Sequence, residues 1–255
     1  MTTHVFGIDL ERCIGCYACT MACKQQNNPD EDMHWNAVYE PDGSTNVGFA
    51  HPPAEHLAYG VFPESDRKPP QGWDDIELAE HVPVACQHCD NAPCTKACPV
   101  EATYTREDGI VMMDYDKCIG CRYCMAACPY NVRVFNWKSP DTETEVGPVE
   151  SRDRGVVEKC NWCVHRLDKG LDPACVEACP EGARMIGDLD DPDSKLVHYI
   201  EEFKWEKLLE NFGTDPKVYY FTEETPGYHA NRLDKAKRDA ELDLIEEARA
   251  SGGAD

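Results

Sequence analysis

The sequence predicts an α+β protein in which one small metal-organised module is inserted into another of the same kind. Three observations lead to this prediction. First, all 16 cysteines of the 255-residue chain fall into four tight groups of four. Second, the first group resembles the third and the second resembles the fourth, which is typical of a duplicated unit. Third, the second and third groups are contiguous around a predicted hairpin, whereas the first and fourth lie on either side of them.

The four cysteine groups, motifs I to IV, are variants of one spacing pattern. Motifs I and III read C-x2-C-x2-C-x3-C, and motifs II and IV widen only the middle gap, to x4 and x11. This is the run with which bacterial ferredoxins hold [4Fe–4S] clusters, each bound by four thiolates. The 16 cysteines therefore predict four [4Fe–4S] clusters with none left over. The motifs are Cys13, Cys16, Cys19 and Cys23 (I); Cys86, Cys89, Cys94 and Cys98 (II); Cys118, Cys121, Cys124 and Cys128 (III); and Cys160, Cys163, Cys175 and Cys179 (IV).

Each part of the motif has an expected physical role. Three closely spaced cysteines wrap one cluster, while the fourth, after three intervening residues, begins a helical turn and ligates the other cluster of a pair. Gly15 and Gly120 are expected to let the backbone approach the cluster closely. Ile14 and Ile119 are expected to screen the clusters from water.

Two structural alternatives use cysteines differently. Zinc ribbons pair two CxxC knuckles across a long spacer, which is not the spacing found here. Disulfide scaffolds serve short secreted chains that lack a core, a need that disappears at 255 residues. The sequence shows no nucleophile, acid–base pair or open metal site, so the chain is expected to be non-catalytic on its own.

Motifs II and III are predicted to form one contiguous inner module of the ferredoxin type, residues 83–140. Between them, Thr103–Thr105 and residues 110–113 flank a polar turn that ends at Gly109, a pattern that predicts a short β-hairpin. The inner module would bind two of the clusters.

Motifs I and IV would have to meet in space to form the outer ferredoxin-like module, made of residues 1–26 and 155–190 with its first strand at residues 5–8. Residues 141–154 connect the two modules. In both modules, the crossover of the fourth cysteine predicts the ligands. The predicted sets are Cys13, Cys16, Cys19 and Cys179 (cluster 1); Cys160, Cys163, Cys175 and Cys23 (cluster 2); Cys86, Cys89, Cys94 and Cys128 (cluster 3); and Cys118, Cys121, Cys124 and Cys98 (cluster 4).

Residues 27–82 form a long insertion rich in Pro, Gly, Asp and His, with one possible strand at residues 37–39. Irregular loops of this length are usually functional, so the insertion is predicted to bind a partner. Its histidines have two interpretations, as metal or haem ligands or as ordinary loop residues, and the lack of metal spacing favours the second. These histidines are His34, His51, His56 and His81.

The C-terminal extension, residues 191–255, is expected to lie away from the clusters, which the chain leaves after Asp188. An amphipathic helix is predicted at residues 198–211 and a strongly charged one at residues 231–250. The last five residues are expected to be a frayed tail.

The charge is strongly acidic, with 25 Lys and Arg against 48 Asp and Glu and a formal net charge of −23. This balance argues against binding to nucleic acid or to an anionic membrane surface. Two interpretations remain, a solvated acidic surface and adaptation to a salt-rich host. No apolar run reaches the roughly 20 residues of a membrane helix, and the first residues lack the pattern of a signal peptide.

These motifs closely resemble those of the iron–sulfur subunit of complex iron–sulfur molybdoenzymes. The resemblance rests on residues 84–99 (VACQHCDNAPCTKACP), 116–130 (DKCIGCRYCMAACPY), 160–166 (CNWCVHR) and 175–180 (CVEACP). It covers about residues 1–25 and 83–190 and is strongest toward the dimethyl sulfoxide, polysulfide, tetrathionate and arsenate reductase types. Some relatives lose a cysteine of motif III and hold a three-iron cluster there. Motif III is complete here, so the resemblance implies four cubanes.

The resemblance implies a relay within a membrane-associated respiratory complex. One partner would be a catalytic subunit with a molybdenum or tungsten bis-pterin guanine dinucleotide, and the other an integral membrane anchor that handles quinol. The outer module would face the catalytic subunit and the inner module the anchor. Co-export with a partner that carries a twin-arginine signal would place the subunit on the extracytoplasmic face. The alternative is a free-standing soluble polyferredoxin, against which the insertion and the extension argue.

Overall fold

The computed structural model describes residues 2–30, 33–39, 81–138 and 152–222, together with the backbone of two short strands between residues 143 and 148. Helices and strands are mixed along the chain, so the α+β class is confirmed. The largest apolar core includes cysteines of all four motifs, among them Cys23, Cys86, Cys124 and Cys175. The cysteine sites are therefore part of the core rather than attached to its surface.

The elements are short. The strands are β1 (His4–Asp9), β2 (Asn36–Tyr39), β3 (Val82–Ala85), β4 (Thr103–Thr105), β5 (Val111–Met113), β6 (Val134–Phe135), β7 (Glu143–Thr144), β8 (Gly147–Pro148), β9 (Val157–Glu158), β10 (Arg184–Asp188), β11 (Trp205–Glu206) and β12 (Val218–Phe221). The helices are α1 (Ala18–Asn27), α2 (Pro93–Lys96), α3 (Tyr123–Ala126), α4 (Val164–Leu167), α5 (Ala174–Glu177) and α6 (Lys195–Glu202), followed by a 3-10 turn at Glu210–Phe212.

A four-stranded sheet brings the N-terminal strand to the last described segment. Its order is β10-β1-β12-β11, with β1 antiparallel to β10 and parallel to β12. Val5 pairs with Gly187, and Gly7 pairs with Tyr219. The strand predicted at residues 5–8 is confirmed as β1. Since motif I follows β1 and motif IV precedes β10, this pairing holds the two motifs side by side.

Helix α6 covers one face of this sheet. Leu196 is fully buried in an apolar cluster with Val5, Met185 and Phe221. The packing is close, because a Cβ placed on Gly7 would lie 2.5 Å from Leu196 Cδ1.

The helix predicted at residues 198–211 is wrong in its bounds. Helix α6 begins at Lys195 and ends at Glu202, and Phe203 is extended, with φ −115° and ψ 153°. Strand β11 then pairs with β12, and Leu208 is buried in the main core. Pairing with a later strand overrides the local helical pattern.

Strand β12 returns the chain to the cysteine region. All of its residues are buried, and it lies directly beside β1. The Tyr220 hydroxyl donates a hydrogen bond to Pro83 O at 3.1 Å and accepts one from Gln87 Nε2 at 3.2 Å. The expectation that the chain leaves the clusters after Asp188 is therefore wrong for this segment.

The hairpin predicted between motifs II and III is confirmed. Strands β4 and β5 are antiparallel, with Thr103 opposite Met113. The Gly109 N–H donates to Arg106 O at 3.0 Å and closes the turn, where Gly109 has a φ of +81°. Only glycine adopts such a φ without steric cost, which fixes the turn at this residue.

The strand predicted at residues 37–39 is confirmed as β2, which pairs antiparallel with β3. Residues 40–80 lie outside the described residues, so His51 and His56 are not placed. The helix predicted at residues 231–250 and the C-terminal tail lie outside them as well.

A buried ion pair joins the start of the insertion to strand β9. Arg152 Nε lies 2.8 Å from Glu158 Oε1, and both side chains are buried. Trp35 Nε1 donates to Glu158 Oε2 at 3.2 Å, and the Arg152 guanidinium lies over the Trp35 ring at 5.2 Å. Strand β9 pairs with β6, so this contact also ties the insertion to the strand that follows motif III.

Candidate iron–sulfur cluster sites

Four cavities in the described residues are each lined by three cysteines of one motif and the fourth cysteine of another, and one of the four also has Cys86 of motif II in its lining. All 16 cysteines are free thiols. We number the cavities 1 to 4. They are lined by Cys13, Cys16, Cys19 and Cys179 (cavity 1); Cys23, Cys160, Cys163 and Cys175 (cavity 2); Cys86, Cys89, Cys94 and Cys128 (cavity 3); and Cys98, Cys118, Cys121 and Cys124 (cavity 4).

The size and donors of the cavities fit cubane clusters. Together with the solvent space at their mouths, cavities 1 to 4 hold about 360, 440, 310 and 270 Å³ of space free of protein atoms. A zinc tetrahedron is far smaller, with its sulfurs about 2.3 Å from the metal. Four cysteine thiolates around such a space are the donor set of a [4Fe–4S] cluster. Among the described residues, no three His, Cys, Asp or Glu side chains converge on a single-ion site.

One helical turn links the two cavities of each pair. Cys19 and Cys23 both lie on α1, yet Cys19 lines cavity 1 and Cys23 lines cavity 2. In motifs II, III and IV, the third cysteine likewise lies in a short helix, and the fourth follows two residues after that helix ends. The helix begins before the third cysteine, whereas the spacing alone predicts a turn that begins at the fourth.

The cavities follow one another in a fixed order. Arg184 lines both cavity 1 and cavity 2. Cys86 and Gln87 line both cavity 2 and cavity 3. Arg133 lines cavity 3 and donates hydrogen bonds to Thr103 and Met113, which line cavity 4. The four sites therefore form a row, 1-2-3-4.

The two ends of this row reach the surface. Among the 16 cysteines, Cys16 of cavity 1 and Cys121 of cavity 4 are exposed, and every cysteine of cavity 2 is buried. Ile14 and Ile119 line cavities 1 and 4, as the screening role requires, but both side chains are themselves more than half exposed. At cavities 1 and 4, little protein therefore separates the site from solvent.

Glycine is required in the loops of motifs I and III. Gly15 and Gly120 have φ values of +64° and +68°. A Cβ on Gly15 would lie 2.5 Å from the ring of His81, and a Cβ on Gly120 would overlap the carbonyl oxygen of Gly155. Neighbouring protein atoms fill the space beside each glycine. Close packing is therefore a second reason for glycine at these positions, besides the expected approach of the backbone to the cluster.

Backbone N–H groups point at the fourth cysteines of motifs II and IV. Ala102 N lies 3.2 Å from Cys98 Sγ, and Ala183 N lies 3.2 Å from Cys179 Sγ. Burial opposes ionisation of Cys98, but backbone hydrogen bonds outweigh it and lower the pKa of this thiol. Such donors stabilise the thiolate, which is the form that binds iron.

Burial opposes ionisation of several other thiols. Burial, the largest cause, raises the pKa of Cys13, Cys128 and Cys175 to about 11 and that of Cys89 to about 12. It also raises the pKa of Cys23 and Cys160. Because iron binds the thiolate, loading these sites releases protons.

The sequence also matches known families and proteins. The 4Fe-4S dicluster domain matches residues 78–144 and 147–189, and a 4Fe-4S binding domain matches residues 4–25. A protein of Halobacterium salinarum assigned as the iron–sulfur subunit of a dimethyl sulfoxide reductase is 50% identical, over 98% of this chain and 90% of its own. The chain belongs to the iron–sulfur subunits of the complex iron–sulfur molybdoenzymes. The resemblance predicted from the motifs is confirmed.

Two further relatives of this iron–sulfur subunit extend the comparison. The arsenate respiratory reductase iron–sulfur subunit of a Shewanella species is 37% identical, over 84% of this chain and 93% of its own. The cluster-binding subunit of a menaquinone reductase from Nitratidesulfovibrio vulgaris is 38% identical, over 84% of this chain and 87% of its own. The protein is an electron-transfer subunit that binds [4Fe–4S] clusters and is not itself catalytic. None of its described helices is long and apolar enough to cross a membrane.

Sequence reasoning missed one buried amide in this iron–sulfur subunit. Asn27 Nδ2 lies 3.6 Å from Cys23 Sγ and 3.7 Å from Cys163 Sγ, two sulfurs of cavity 2. The available signal was its position four residues after Cys23, which places both on one helix face. Amide hydrogen bonds to cluster sulfurs are one means of setting the reduction potential.

Sequence reasoning also missed three buried cations. Arg133, Lys159 and Arg184 are each at most 4% exposed and lie beside the cavities. Two histidines of the insertion lie in the described residues. His81 packs against Gly15 in motif I, and His34 lines none of the four cavities.

Proposed function

We propose that this iron–sulfur subunit relays single electrons through four [4Fe–4S] clusters between a membrane quinol-interacting anchor and a molybdopterin catalytic subunit of a respiratory oxidoreductase. The observation that carries the proposal is the row of four cysteine-lined cavities with exposed ends and a buried middle. Clusters supply reversible one-electron chemistry. The chain spaces them, excludes water from the central pair and surrounds them with fixed charges and N–H donors.

The proposed ligand sets follow the four cavities. Each set joins three cysteines of one motif to the fourth cysteine of its partner motif. The sets are Cys13, Cys16, Cys19 and Cys179; Cys160, Cys163, Cys175 and Cys23; Cys86, Cys89, Cys94 and Cys128; and Cys118, Cys121, Cys124 and Cys98. The shared lining of each cavity by these residues supports the assignment.

The proposed modules are nested, with residues 1–26 and 155–190 around residues 83–140 and a connector at 141–154. Support comes from the pairing of β1 with β10 and the packing of α1 on α5 in the outer module. The β4–β5 hairpin and the packing of α2 on α3 support the inner one. Within the extension at 191–255, the part up to residue 222 adds β11 and β12 to the outer sheet.

The proposed orientation puts cavity 1 toward the catalytic subunit and cavity 4 toward the anchor. Apolar residues are exposed at both ends of the row. Ile14 lines cavity 1 and Ile119 lines cavity 4, while Tyr123 directly precedes Cys124 and Trp137 packs under Arg122, which also lines cavity 4. Residues that dock a permanent partner are exposed in the isolated chain in this way. The insertion at 27–82 is proposed to add to the partner contacts.

The location proposed for this peripheral subunit is the extracytoplasmic face, reached by co-export with a twin-arginine partner in a salt-adapted host. The formal net charge of −23 supports the second part, since a highly acidic surface stays soluble at high salt. Protease protection in sealed native membrane vesicles tests the first part. Protection in right-side-out vesicles would contradict an extracytoplasmic location.

The proposal is tested by anaerobic affinity purification from the native membrane. Co-elution of a molybdopterin subunit and a polytopic membrane protein is expected, with about sixteen irons per copy of this chain, as four cubanes require. Recovery of the iron-loaded chain alone would contradict the relay and favour a soluble polyferredoxin. A colourless chain that contains zinc would contradict both.

A further inference from the structure

Three buried cations occupy the three junctions in the row of cavities. Arg184 lines cavities 1 and 2, and its Nη2 donates to Asn36 Oδ1 at 2.7 Å. The Lys159 amino group donates to the carbonyl of Cys160, in cavity 2, at 2.9 Å and to the carbonyl of Val111, in cavity 3. Arg133 spans cavities 3 and 4. The three side chains are 4%, 2% and 3% exposed.

Among the described residues, these three cations have no carboxylate partner, and the acidic groups beside them are the cysteines that line the cavities. Arg184 lines cavities 1 and 2 beside Cys19 and Cys175, and Arg133 lines cavity 3 beside Cys94. Other buried cations of the described chain have carboxylate partners instead, such as Arg152 with Glu158 and Lys217 with Asp90.

A buried cation without a carboxylate is costly unless another anion compensates it. Four thiolates and an oxidised cubane carry a net charge of about −2, and one-electron reduction makes it about −3. The negative charge available at each junction is therefore that of the two flanking cluster sites. A fixed cation stabilises the reduced, more negative form more than the oxidised one.

We infer that Arg184, Lys159 and Arg133 alternate with the clusters along the row and that each raises the reduction potentials of the two clusters on either side of it. The inference rests on the proposed four-cluster relay and deepens it. The step involved is the gain of one electron by a cluster, with no bond made or broken in the protein and no proton moved. Because each cation is shared, its effect falls on a pair of neighbouring sites.

The pairwise pattern provides the test. Midpoint potentials of the four clusters are measured by redox titration of the purified complex, followed by electron paramagnetic resonance. Arg184→Gln should lower two potentials, Arg133→Gln the other two, and Lys159→Gln one from each pair. Each affected reduction equilibrium is expected to become at least about tenfold less favourable, which corresponds to about 59 mV for one electron.

Two controls separate charge from packing. Arg184→Lys and Arg133→Lys retain the positive charge. They should change the midpoint potentials by only a small fraction of the shifts expected for the Gln variants. Lys217→Gln removes a buried cation that lines none of the four cavities and is paired with Asp90, so it should leave all four potentials unchanged.

The possible failures are distinguishable. Unchanged potentials in the Gln variants, with all four clusters present, would overturn this inference and leave the relay intact. Equal losses of cluster in the Gln and Lys variants would also overturn it, since packing rather than charge would then be required. A wild-type complex with fewer than four clusters would overturn the proposed function itself.

Discussion

Cys179, the last cysteine of motif IV, lines the same cavity as Cys13, in the first motif of the chain, although Cys175, four residues earlier, lines the next cavity. This crossover makes the two motifs of a module depend on each other. It also supports the proposed nesting of the modules, since the pairing of β1 with β10 brings the fourth cysteine of motif IV to cavity 1.

Substitution of the two cysteines at α5 should therefore affect different clusters. Cys179→Ser is expected to alter the cluster in cavity 1, and Cys175→Ser the cluster in cavity 2, because the two side chains line different cavities. Electron paramagnetic resonance of the reduced complexes should show a different signal lost in each variant. Loss of the same signal in both would mean that each motif closes its own cluster.

Gly120→Ala should destabilise the site at cavity 4. The residue has a φ of +68°, and its added Cβ would overlap the carbonyl oxygen of Gly155. Gly170→Ala is a matched control, because its φ is +71° but nothing lies within 4 Å of the added Cβ. The control should cost about 1 kcal/mol of unfolding free energy from backbone conformation alone, and Gly120→Ala clearly more, with loss of iron. Chemical denaturation and iron content measure both; equal effects would contradict the packing argument.

The buried ion pair of Arg152 and Glu158 should matter far more than an exposed one. Arg152→Ala leaves Glu158 buried without its partner and should lower the free energy of unfolding by about 3–5 kcal/mol. Asp168→Ala removes the partially exposed partner of Arg106 and should cost less than about 1 kcal/mol. Denaturant titration compares the two variants, and similar losses would show that burial does not set the importance of the pair.

The two ends of the cavity row should bind different partners. Tyr123→Glu places a charge among the exposed apolar residues near cavity 4 and should weaken retention of the membrane anchor while the catalytic subunit stays bound. Ile14→Glu, near cavity 1, should have the opposite effect. Subunit ratios after affinity purification measure both. Loss of the same partner in both variants, at unchanged iron content, would contradict the proposed orientation.

Local signals in the sequence predicted much of this arrangement. The cysteine spacing, strand β1, the β4–β5 hairpin and strand β2 each depend on a pattern within a few neighbouring residues. Strand β12 was missed because its partner, β1, lies far away in sequence. The bounds of α6 were wrong for a related reason, since the pairing of Trp205 with Phe221 ends the helical pattern early.

The residues around the cavities were harder to predict than their ligands. Arg184 begins an ordinary-looking strand, and Lys159 directly precedes a cysteine motif, so neither differs in sequence from a surface cation. Only the pairing of β1 with β10 and the burial of the junctions show that these charges face the interior. Asn27 had a weak signal in its spacing from Cys23, but the second sulfur that it contacts, Cys163, comes from another motif.

The row of four clusters proposed for this chain can be tested by spin quantification of the fully reduced native complex. Integrated electron paramagnetic resonance, with iron analysis of the same sample, should give four reduced clusters and about sixteen irons per copy of this subunit, after subtraction of any cluster in its partners. Magnetic interaction between neighbouring clusters is expected, because adjacent cavities share lining residues. Two clusters per chain, or four that do not interact, would show that the chain does not hold a continuous row of four.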